Sequence, residues 1–359
     1  MLHKSINKMN VAIVGATGYG GIQSVRLLSN HPNIKISGMY GNKSAGCYWN
    51  LLFPSIPLDS NLLINEIDID LIAQTSDIAL LALPNGIAST ITPKLVERGI
   101  KIIDLSADYR FTDLGDWEKT YPIEARNFKR TDRALCKEAV YGLPELNSSK
   151  IKEAQIVSCP GCFPTSALLA LLPYLIQGII DPKGIIIDSK TGTSGGGREA
   201  KQNLLFSEVN ESIAPYAVVS HRHTNEIEQI ASLVYGTDIQ VQFTPHLIPM
   251  IRGILSTVYG RLRDPGITSE DCRIVLTNFY RHSSNIVVLP VGTYPQTKWV
   301  RNTNKAYLSV EVDPRNGRII LMSAIDNLLK GQSGQAVQNI NIMLGINENT
   351  ALDMTNFLP

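Results

Sequence analysis

The residue best suited to covalent chemistry is a cysteine that stands just before a strongly apolar helical stretch. Cys162 follows the turn residues Pro160 and Gly161, and Pro164 suits the first turn of a helix that continues through residues 167–175. The positive end of a helix dipole stabilises a thiolate and lowers the pKa of a thiol. Cys162 is therefore predicted to be a nucleophile that forms a covalent intermediate.

Other interpretations of this cysteine remain open at the level of sequence. Cys159 and Cys162 form a C-x-x-C pair, which is typical of a redox pair or of half a zinc site, and a buried structural cysteine is the plainest alternative. The sequence contains no second C-x-x-C, so a zinc site would need an improvised ligand set. We therefore predict no metal site, and we expect Cys159 to pair with Cys162 only under oxidation.

Two of the six histidines occur in one short polar segment, residues 220–226. A histidine can hold a cysteine as its thiolate and later supply a proton. His221 and His223 are the candidates for this acid/base role, and Glu226 could orient one of the imidazoles. A polar surface turn is the alternative, and spacing alone does not decide which histidine faces the cysteine.

Three arginines are candidate anchors for the carboxylate or phosphate groups of a substrate. Arg110 lies in a polar segment after a predicted strand, Arg198 follows a glycine run, and Arg252 stands in a Met-Ile-Arg-Gly turn. Guanidinium groups grip such anions through two parallel hydrogen bonds. Each of the three could equally be a structural or surface arginine.

A glycine-rich turn links the first predicted strand, residues 11–14, to the first predicted helix. Gly15, Gly18 and Gly21 follow a G-x-x-G-x-x-G spacing, in which backbone N–H groups and a helix N-terminus face a phosphate. A glycine turn without a ligand is the alternative. The strand and helix on either side favour a dinucleotide site that includes Thr17, Tyr19 and Gly20.

The loop after the second predicted strand bears on the choice of cofactor. An acid at this place would hold a ribose 2′-OH, but the segment has Lys43 and Ser44 instead. A lysine and a hydroxyl suit a 2′-phosphate, so the sequence favours NADP(H) over NAD. A solvated loop lysine is the alternative.

The predicted secondary structure that must position these residues differs between the two halves of the chain. Short apolar runs alternate with helical stretches up to about residue 155, which predicts a Rossmann-type, doubly wound parallel sheet. Beyond it, β-like runs that lie close together without long helices between them favour an α+β catalytic domain with a mixed sheet. A last helical stretch, residues 335–344, is expected to fold back onto the first domain.

Composition narrows the function classes further. The 359 residues carry 33 basic and 32 acidic side chains, so nothing in the charge favours binding to nucleic acid or to a membrane. No apolar run is long enough to span a bilayer. Five cysteines, an odd number, argue against a disulfide framework, and we expect a cytoplasmic protein.

Taken together, the motifs identify a family. The chain resembles the N-acetyl-γ-glutamyl-phosphate reductases of arginine biosynthesis, which belong to the semialdehyde-dehydrogenase-like superfamily. The most specific motifs are Tyr-Gly-Leu-Pro-Glu at 141–145 and Pro-Gly-Cys at 160–162. Further matching motifs lie at residues 15–21, 83–86, 104–110, 194–198, 221–223, 245–247, 249–253 and 326–336.

The resemblance implies a fold, a reaction and a set of site residues. It implies a dinucleotide-binding domain (1–158 and 330–359), a catalytic domain (159–329), and a homodimer or homotetramer. It implies reduction of N-acetyl-γ-glutamyl phosphate by NADPH through a thioester on Cys162, with release of phosphate. His221 is the first choice as acid/base and His223 the second, and Ser194, Gly195 and Asn327 are implied to contact the cofactor.

Three alternatives to this function are kept. Related reductases act on aspartyl phosphate or on an N-blocked α-aminoadipyl phosphate. A non-catalytic nucleotide sensor on the same fold is a different class, but a sensor has no need for a thiolate. A glyceraldehyde-phosphate-type dehydrogenase would carry its cysteine in a Ser-Cys-Thr-Thr setting, which is absent here.

Overall fold

Short apolar runs that are bounded by turn residues become the parallel strands in the first part of the chain. The computed structural model describes residues 8–58, 62–121 and 129–354. The strands of the first sheet are β1 (Met9–Val14), β2 (Ile34–Tyr40), β3 (Ile64–Asn65), β4 (Ile78–Leu81), β5 (Lys101–Asp104), β6 (Val140–Tyr141) and β7 (Ile156–Ser158). In the described residues they form one sheet in the order β3-β2-β1-β4-β5-β7-β6, and every pairing is parallel.

Helices follow most of these strands. They are α1 (Tyr19–Leu28), α2 (Trp49–Leu52), α3 (Ile69–Thr75), α4 (Ala88–Val96), α5 (Leu114–Thr120), α6 (Arg133–Glu138) and α7 (Pro144–Glu153). The order of strands reverses between β1 and β4, and in open α/β sheets ligands bind in the crevice at such a switch point. The loops after β1 and β4 therefore form the two lips of the predicted dinucleotide crevice.

A second sheet is built from longer strands. They are β8 (Ile185–Thr191), β9 (Ala214–Pro215), β10 (Val241–Leu247), β11 (Ile254–Arg261), β12 (Ile286–Val288), β13 (Ala306–Asp313) and β14 (Arg318–Ile325). Their order is β12-β13-β14-β11-β8-β10-β9, with parallel pairs at β12–β13 and β8–β10 and antiparallel pairs elsewhere. This is the mixed sheet that the sequence predicted.

Helices also accompany the second sheet. They are α8 (Cys162–Ile176), α9 (Phe206–Val209), α10 (His223–Tyr235), α11 (Ser269–Phe279) and α12 (Thr297–Val300), with 3₁₀ turns at Thr193–Gly196 and Gln202–Leu204. Residues 163–175 of α8 are all buried, as expected for a helix that is apolar on every face. α8 packs against β11 and β14.

The chain divides into two compact units. One comprises the described residues of Met1–Pro160 together with Gln332–Asp353, and the other comprises Gly161–Gly331. A π-helical turn at Leu329–Ser333 precedes the last helix, α13 (Gly334–Met343), which belongs to the first unit and packs against α1 and α7. The domain bounds predicted from the sequence remain a proposal, and residues 1–7, 59–61, 122–128 and 355–359 of the predicted first domain lie outside the described part.

The predicted fold class is confirmed, but one argument for it was wrong. The sequence was interpreted as β-like runs without long helices between them, whereas α11 lies between β11 and β12. Its start carries a capping box, in which the Thr268 side chain accepts from the Asp271 N–H and the Asp271 carboxylate accepts from the Thr268 N–H. The Thr-x-x-Asp spacing was a signal that could have identified this helix.

Candidate active site

Cys162 is the first residue of α8. Gly161 is the N-cap, with extended φ and ψ of −62° and 154°, and it has no side chain to satisfy the first amides of the helix. The Thr165 N–H donates to the Gly161 carbonyl at 2.9 Å and closes the first turn. The half-buried sulfur therefore lies where helix N–H groups have no partner inside the helix, as the sequence predicted.

Glu226 supports the turn in front of the cysteine. This fully buried residue of α10 accepts a hydrogen bond from the Gly161 N–H at Oε1, at 2.8 Å. A carboxylate that accepts from a backbone N–H at a helix start makes a charge-assisted bond, which fixes the entry of the chain into α8. From the sequence, Glu226 was expected to orient an imidazole, and its contact with Gly161 is an addition to that expectation.

The two histidines of residues 220–226 lie around the residue that follows the nucleophile. The ring of Phe163 makes edge contacts with His221, at 5.5 Å between centroids, and with His223, at 5.9 Å. The two imidazoles lie 4.8 Å apart and both belong to the same cluster as the buried Phe243 of β10. The structure therefore brings both candidate acid/base residues to the start of α8.

The two histidines differ in environment. The Nδ1 of His221 accepts the N–H of His223 at 3.1 Å, so a neutral His221 carries its proton on Nε2. Burial, with a smaller effect of the Arg222 charge, lowers the pKa of His221 to about 4. His221 is thus neutral at physiological pH and can donate a hydrogen bond from Nε2.

His223 lies directly against the N-cap residue of the catalytic helix. A Cβ added at Gly161 would lie 2.8 Å from Cδ2 and Cε1 of the His223 ring, and closer still to Nε2. On the other side, a Cβ at Gly331 would lie 2.8 Å from the Cβ of Cys162. Both glycines are therefore places where only a hydrogen fits beside the groups predicted to react.

Tyr216 is a neighbour of the site that the sequence analysis missed. Its ring makes an edge contact with His221 at 5.6 Å, and burial, followed by the nearby charge of Cys162, raises the pKa of its hydroxyl. It stays protonated and can donate a hydrogen bond at any physiological pH. No motif marks this residue, because the turn between β9 and α10 places it there.

Three residues implied to contact the cofactor form a single cluster in the second unit. The Nδ2 of Asn327 donates to the Ser194 hydroxyl at 2.9 Å, and its Oδ1 accepts from the Gly253 N–H at 2.8 Å. Gly195 lies beside them, since a Cβ there would have Thr191 Oγ1 at 3.4 Å as its nearest neighbour. The side chains are thus held by each other and by the backbone.

The three candidate arginines have very different surroundings. Arg110 is buried and donates from Nε to the Cys159 carbonyl at 2.9 Å. Arg252 forms an ion pair at 3.0 Å with the fully buried Asp326. Arg198 is exposed. Arg110 and Arg252 thus make contacts within the fold. Substrate binding by any of the three arginines stays a prediction.

The glycine turn has the geometry of a phosphate cradle. Gly15 has a φ of +86°, and a Cβ on it would lie 2.8 Å from the carbonyl carbon of Ala82. A Cβ on Gly18 would meet its nearest neighbour only at 3.7 Å, so this side of the turn is open. Helix α1 begins at Tyr19 and has no acid in its first turn. These residues fit the pyrophosphate of a dinucleotide, because open N–H groups at a helix start attract phosphate.

The loop after β2 lies next to this cradle. The Ser44 hydroxyl donates to Thr17 Oγ1 at 3.2 Å, which joins the two loops, and the neighbouring Lys43 is exposed. A lysine and a hydroxyl at this position fit a 2′-phosphate. On the opposite flank, the Ser333 hydroxyl donates to the Gly20 carbonyl at 2.8 Å and ties the segment before α13 to the start of α1.

Neither a membrane span nor a metal site emerges from the described residues. Within 8–58, 62–121 and 129–354, no helix is long and apolar enough to cross a bilayer. In the same ranges, no group of three or more His, Cys, Asp or Glu side chains has the arrangement of a metal site.

Family models define the class of protein to which this fold and site belong. Residues 10–154 match the model described as semialdehyde dehydrogenase, NAD binding domain, and residues 162–327 match semialdehyde dehydrogenase, dimerisation domain. Among solved structures, aspartate semialdehyde dehydrogenase II from Vibrio cholerae covers 94% of the chain with a TM-score of 0.71 at 18% identity. The enzyme from Candida albicans, solved with NADP, has a TM-score of 0.67 at 16% identity and also covers 94%. At these identities the likeness shows the fold.

Closer relatives specify the family. Two proteins named N-acetyl-gamma-glutamyl-phosphate reductase, from Prochlorococcus marinus strains MIT 9515 and MIT 9312, are 63% and 61% identical to the chain. Each alignment covers 98% of this chain and 100% of the relative. The chain belongs to the N-acetyl-γ-glutamyl-phosphate reductase family, and it is an oxidoreductase that uses a nicotinamide cofactor, NADP(H) in this family. The predicted family, enzyme class and cofactor are confirmed.

Proposed function

We propose that this chain reduces N-acetyl-γ-glutamyl phosphate to N-acetylglutamate 5-semialdehyde and phosphate with NADPH, through a thioester on Cys162. The observation that carries the proposal is the placement of Cys162 at the first residue of α8, with Glu226 holding the preceding turn and two histidines beside Phe163. The full-length relatives with this printed name support the choice of substrate.

In the first half-reaction, the Cys162 thiolate attacks the carbonyl carbon of the acyl phosphate. The S–C bond forms, the C–O bond to the phosphoryl group breaks, and phosphate leaves with the electron pair. Negative charge grows on the carbonyl oxygen as this happens. The N–H groups of Cys162 and Phe163, at the start of α8, are the donors that would stabilise this charge.

In the second half-reaction, the thioester carbon is reduced. NADPH, when bound at the glycine turn, supplies the hydride. A histidine then protonates the tetrahedral oxygen and takes the proton back as the C–S bond breaks and the Cys162 thiolate is restored. We propose His223 for this proton transfer, because its ring lies against Gly161, and His221 as a neutral hydrogen-bond donor. The first choice of the sequence analysis, His221 as the acid/base, is retained as the alternative.

The test is to trap the acyl-enzyme. The protein is mixed with N-acetyl-γ-glutamyl phosphate without cofactor, and the intact mass is measured. We expect one acyl group per chain and its loss in Cys162→Ser. Cys47→Ser is the matched control, because Cys47 is also half-buried, and it should still acylate. Acylation that survives in Cys162→Ser would overturn the proposal.

Substrate choice is tested in the reverse direction with phosphate and NADP⁺. We expect N-acetylglutamate semialdehyde to be oxidised with a far higher kcat/KM than aspartate semialdehyde. The opposite preference would replace the proposed substrate with aspartyl phosphate while leaving the chemistry intact. We also propose that the enzyme acts in the cytoplasm.

A homodimer or homotetramer is also part of the proposal, and one face of the second sheet is the surface we assign to it. Along β8, alternate residues are buried, whereas Ile186, Asp188 and Lys190 face the other way and are less buried. Ile186 is 39% exposed although β8 is an inner strand. Apolar exposure on an inner strand is typical of an interface, and the matching family model is described as a dimerisation domain.

The assembly is tested by sedimentation of Ile186→Asp, which places a charge in the proposed interface between two copies. We expect the sedimentation coefficient to fall towards that of a monomer. Ile274→Asp on α11 is the matched control, because this isoleucine is 45% exposed on a helix, and it should leave the assembly unchanged. An unchanged assembly in Ile186→Asp would reject this face.

A further inference from the structure

The second lip of the dinucleotide crevice is the loop between β4 and α4. It begins at Ala82, whose carbonyl lies against Gly15 of the glycine turn, and the side chain of Leu83 would lie 3.4 Å from a Cβ on Gly15. The Ala82 N–H also donates to the Val14 carbonyl at 2.7 Å. The two lips therefore share a backbone contact, and the course of one depends on the other.

Helix α4, which this loop enters, has no cap of its own. Its N-cap residue is Ile87, which has no polar side chain, and its first turn contains no acid. The cap comes from elsewhere in the first unit. Asp108 accepts the Gly86 N–H at Oδ1, at 2.5 Å, and the Ser89 N–H at Oδ2, at 2.9 Å. A remote carboxylate thus satisfies the helix start and complements its dipole.

Asp108 is itself held firmly in place. It is fully buried, its N–H donates to the Ser106 hydroxyl at 3.1 Å, and Arg130 donates to its carbonyl at 2.7 Å. The preceding residue, Ala107, makes a second connection to the β4–α4 loop, because its N–H donates to Asn85 Oδ1 at 3.1 Å. Three bonds in a row therefore join residues 107–108 to the 85–89 segment.

We propose that Asp108 is a positioning residue for NADPH, acting by fixing the β4–α4 loop against the glycine turn. A loop that is ordered before binding spares the cofactor the entropic cost of ordering it. The inference rests on the proposed function, since it assumes a dinucleotide in this crevice. It adds a role for Asp108, which lies in the Asp-Leu-Ser-Ala-Asp-Tyr-Arg segment at 104–110 and takes no part in the proposed reaction steps.

The test is Asp108→Asn, which keeps the shape but replaces one acceptor oxygen with an NH₂ group facing a backbone N–H. Two measurements are made without turnover. Hydrogen exchange of the free protein should show lost protection at the Gly86 and Ser89 amides. Titration of NADPH fluorescence should show a Kd weaker by about tenfold, the size expected when a hydrogen bond to a charged group is removed. In steady state, KM for NADPH should rise while kcat at saturation changes little.

Two further variants keep the inference falsifiable. Asn85→Ala removes only the Ala107 link, and we expect NADPH binding weaker by a few-fold in a protein that folds normally. Asp113→Asn is the control for helix capping in the same unit, because Asp113 caps α5 by accepting the Gly115 N–H at 2.6 Å. It should leave the Kd unchanged.

The outcomes separate this inference from the proposed function. If the unaltered protein fails to bind NADPH, the proposed function and the inference fall together. If it binds while Asp108→Asn and Asn85→Ala bind equally well, only the inference is wrong. A Kd weakened as much in Asp113→Asn as in Asp108→Asn would also overturn it, because the effect would then be general destabilisation.

Discussion

A single added methyl group tests whether the His223 ring is part of the machinery around Cys162. Gly161 has the φ and ψ of ordinary extended backbone, so alanine meets no backbone strain there. The added Cβ, however, would lie 2.8 Å from Cδ2 and Cε1 of His223, where ordinary contacts begin at 3.4 Å. In Gly161→Ala the ring must therefore retreat by at least half an ångström.

The size of the effect follows from this displacement. A misplacement of about 1 Å at a reacting group costs on the order of 100-fold in rate. Because the required movement is about half of that or more, we expect kcat to fall by about 10- to 100-fold. The loss of a glycine N-cap should also lower the free energy of unfolding by about 1 kcal/mol, which leaves the protein folded.

The assay is single-turnover kinetics combined with a double-mutant cycle. Single turnovers separate acylation, followed by phosphate release, from reduction, followed by NADPH absorbance. If His223 transfers the proton in the second half-reaction, reduction should slow more than acylation. In a His223→Ala background the methyl group meets no ring, so Gly161→Ala should then have little further effect.

Two results would refute this reasoning. A folded Gly161→Ala protein with unchanged reduction would mean that the His223 ring does not need its observed place. Equal losses from Gly161→Ala with and without the His223 ring would mean that the methyl group acts elsewhere, for example on the Glu226 bond to the Gly161 N–H.

Three further predictions concern other groups. Gly331→Ala should slow acylation by about tenfold or more, because its Cβ would press on the Cys162 Cβ, and single-turnover phosphate release measures this. Burial, then the charge of Asp108, raises the pKa of Asp104 from 3.8 to about 7, so the folded state holds this proton to higher pH than the unfolded chain and stability falls from pH 4 to pH 7. Urea unfolding of Asp104→Asn should lack that fall, which is on the order of 4 kcal/mol, and an unaltered slope would contradict it. Arg252→Met should destabilise the fold by about 3 to 5 kcal/mol, since it leaves buried Asp326 without its cation, whereas a raised substrate KM at full stability would indicate a substrate contact instead.

Most of the fold could be predicted from local patterns in the sequence. The strand at 11–14, the glycine turn after it and the apolar helix after Cys162 were predictable, because each depends on neighbours in sequence: β-branched runs, turn residues and helix breakers. Helix α10 was not recognised. Its first turn holds His223 and Glu226, and polar residues at a helix start look the same in sequence as a polar surface turn.

The site was predictable in its chemistry but not in its contacts. The structure brings Cys162 together with the candidate histidines and Glu226 at the start of α8, yet the pairing of these side chains depends on how α10 packs against α8. The Gly161 bond to Glu226 joins residues 65 positions apart, and the Tyr216 contact arises in a loop without a motif. Arg110 illustrates the same limit, because its bond to the Cys159 carbonyl depends on a fold that brings together residues 49 positions apart.

The glycines on both flanks of the nucleophile explain why so few residues are needed to arrange it. Gly161 admits the His223 ring and Gly331 admits Cys162 itself, each at a distance that a methyl group would forbid. Glu226 then fixes the turn by accepting the Gly161 N–H at 2.8 Å. Positioning is thus achieved by close packing of the backbone, so the reaction should be more sensitive to added methyl groups at 161 and 331 than to changes among neighbouring polar side chains that take no part in the proton transfer.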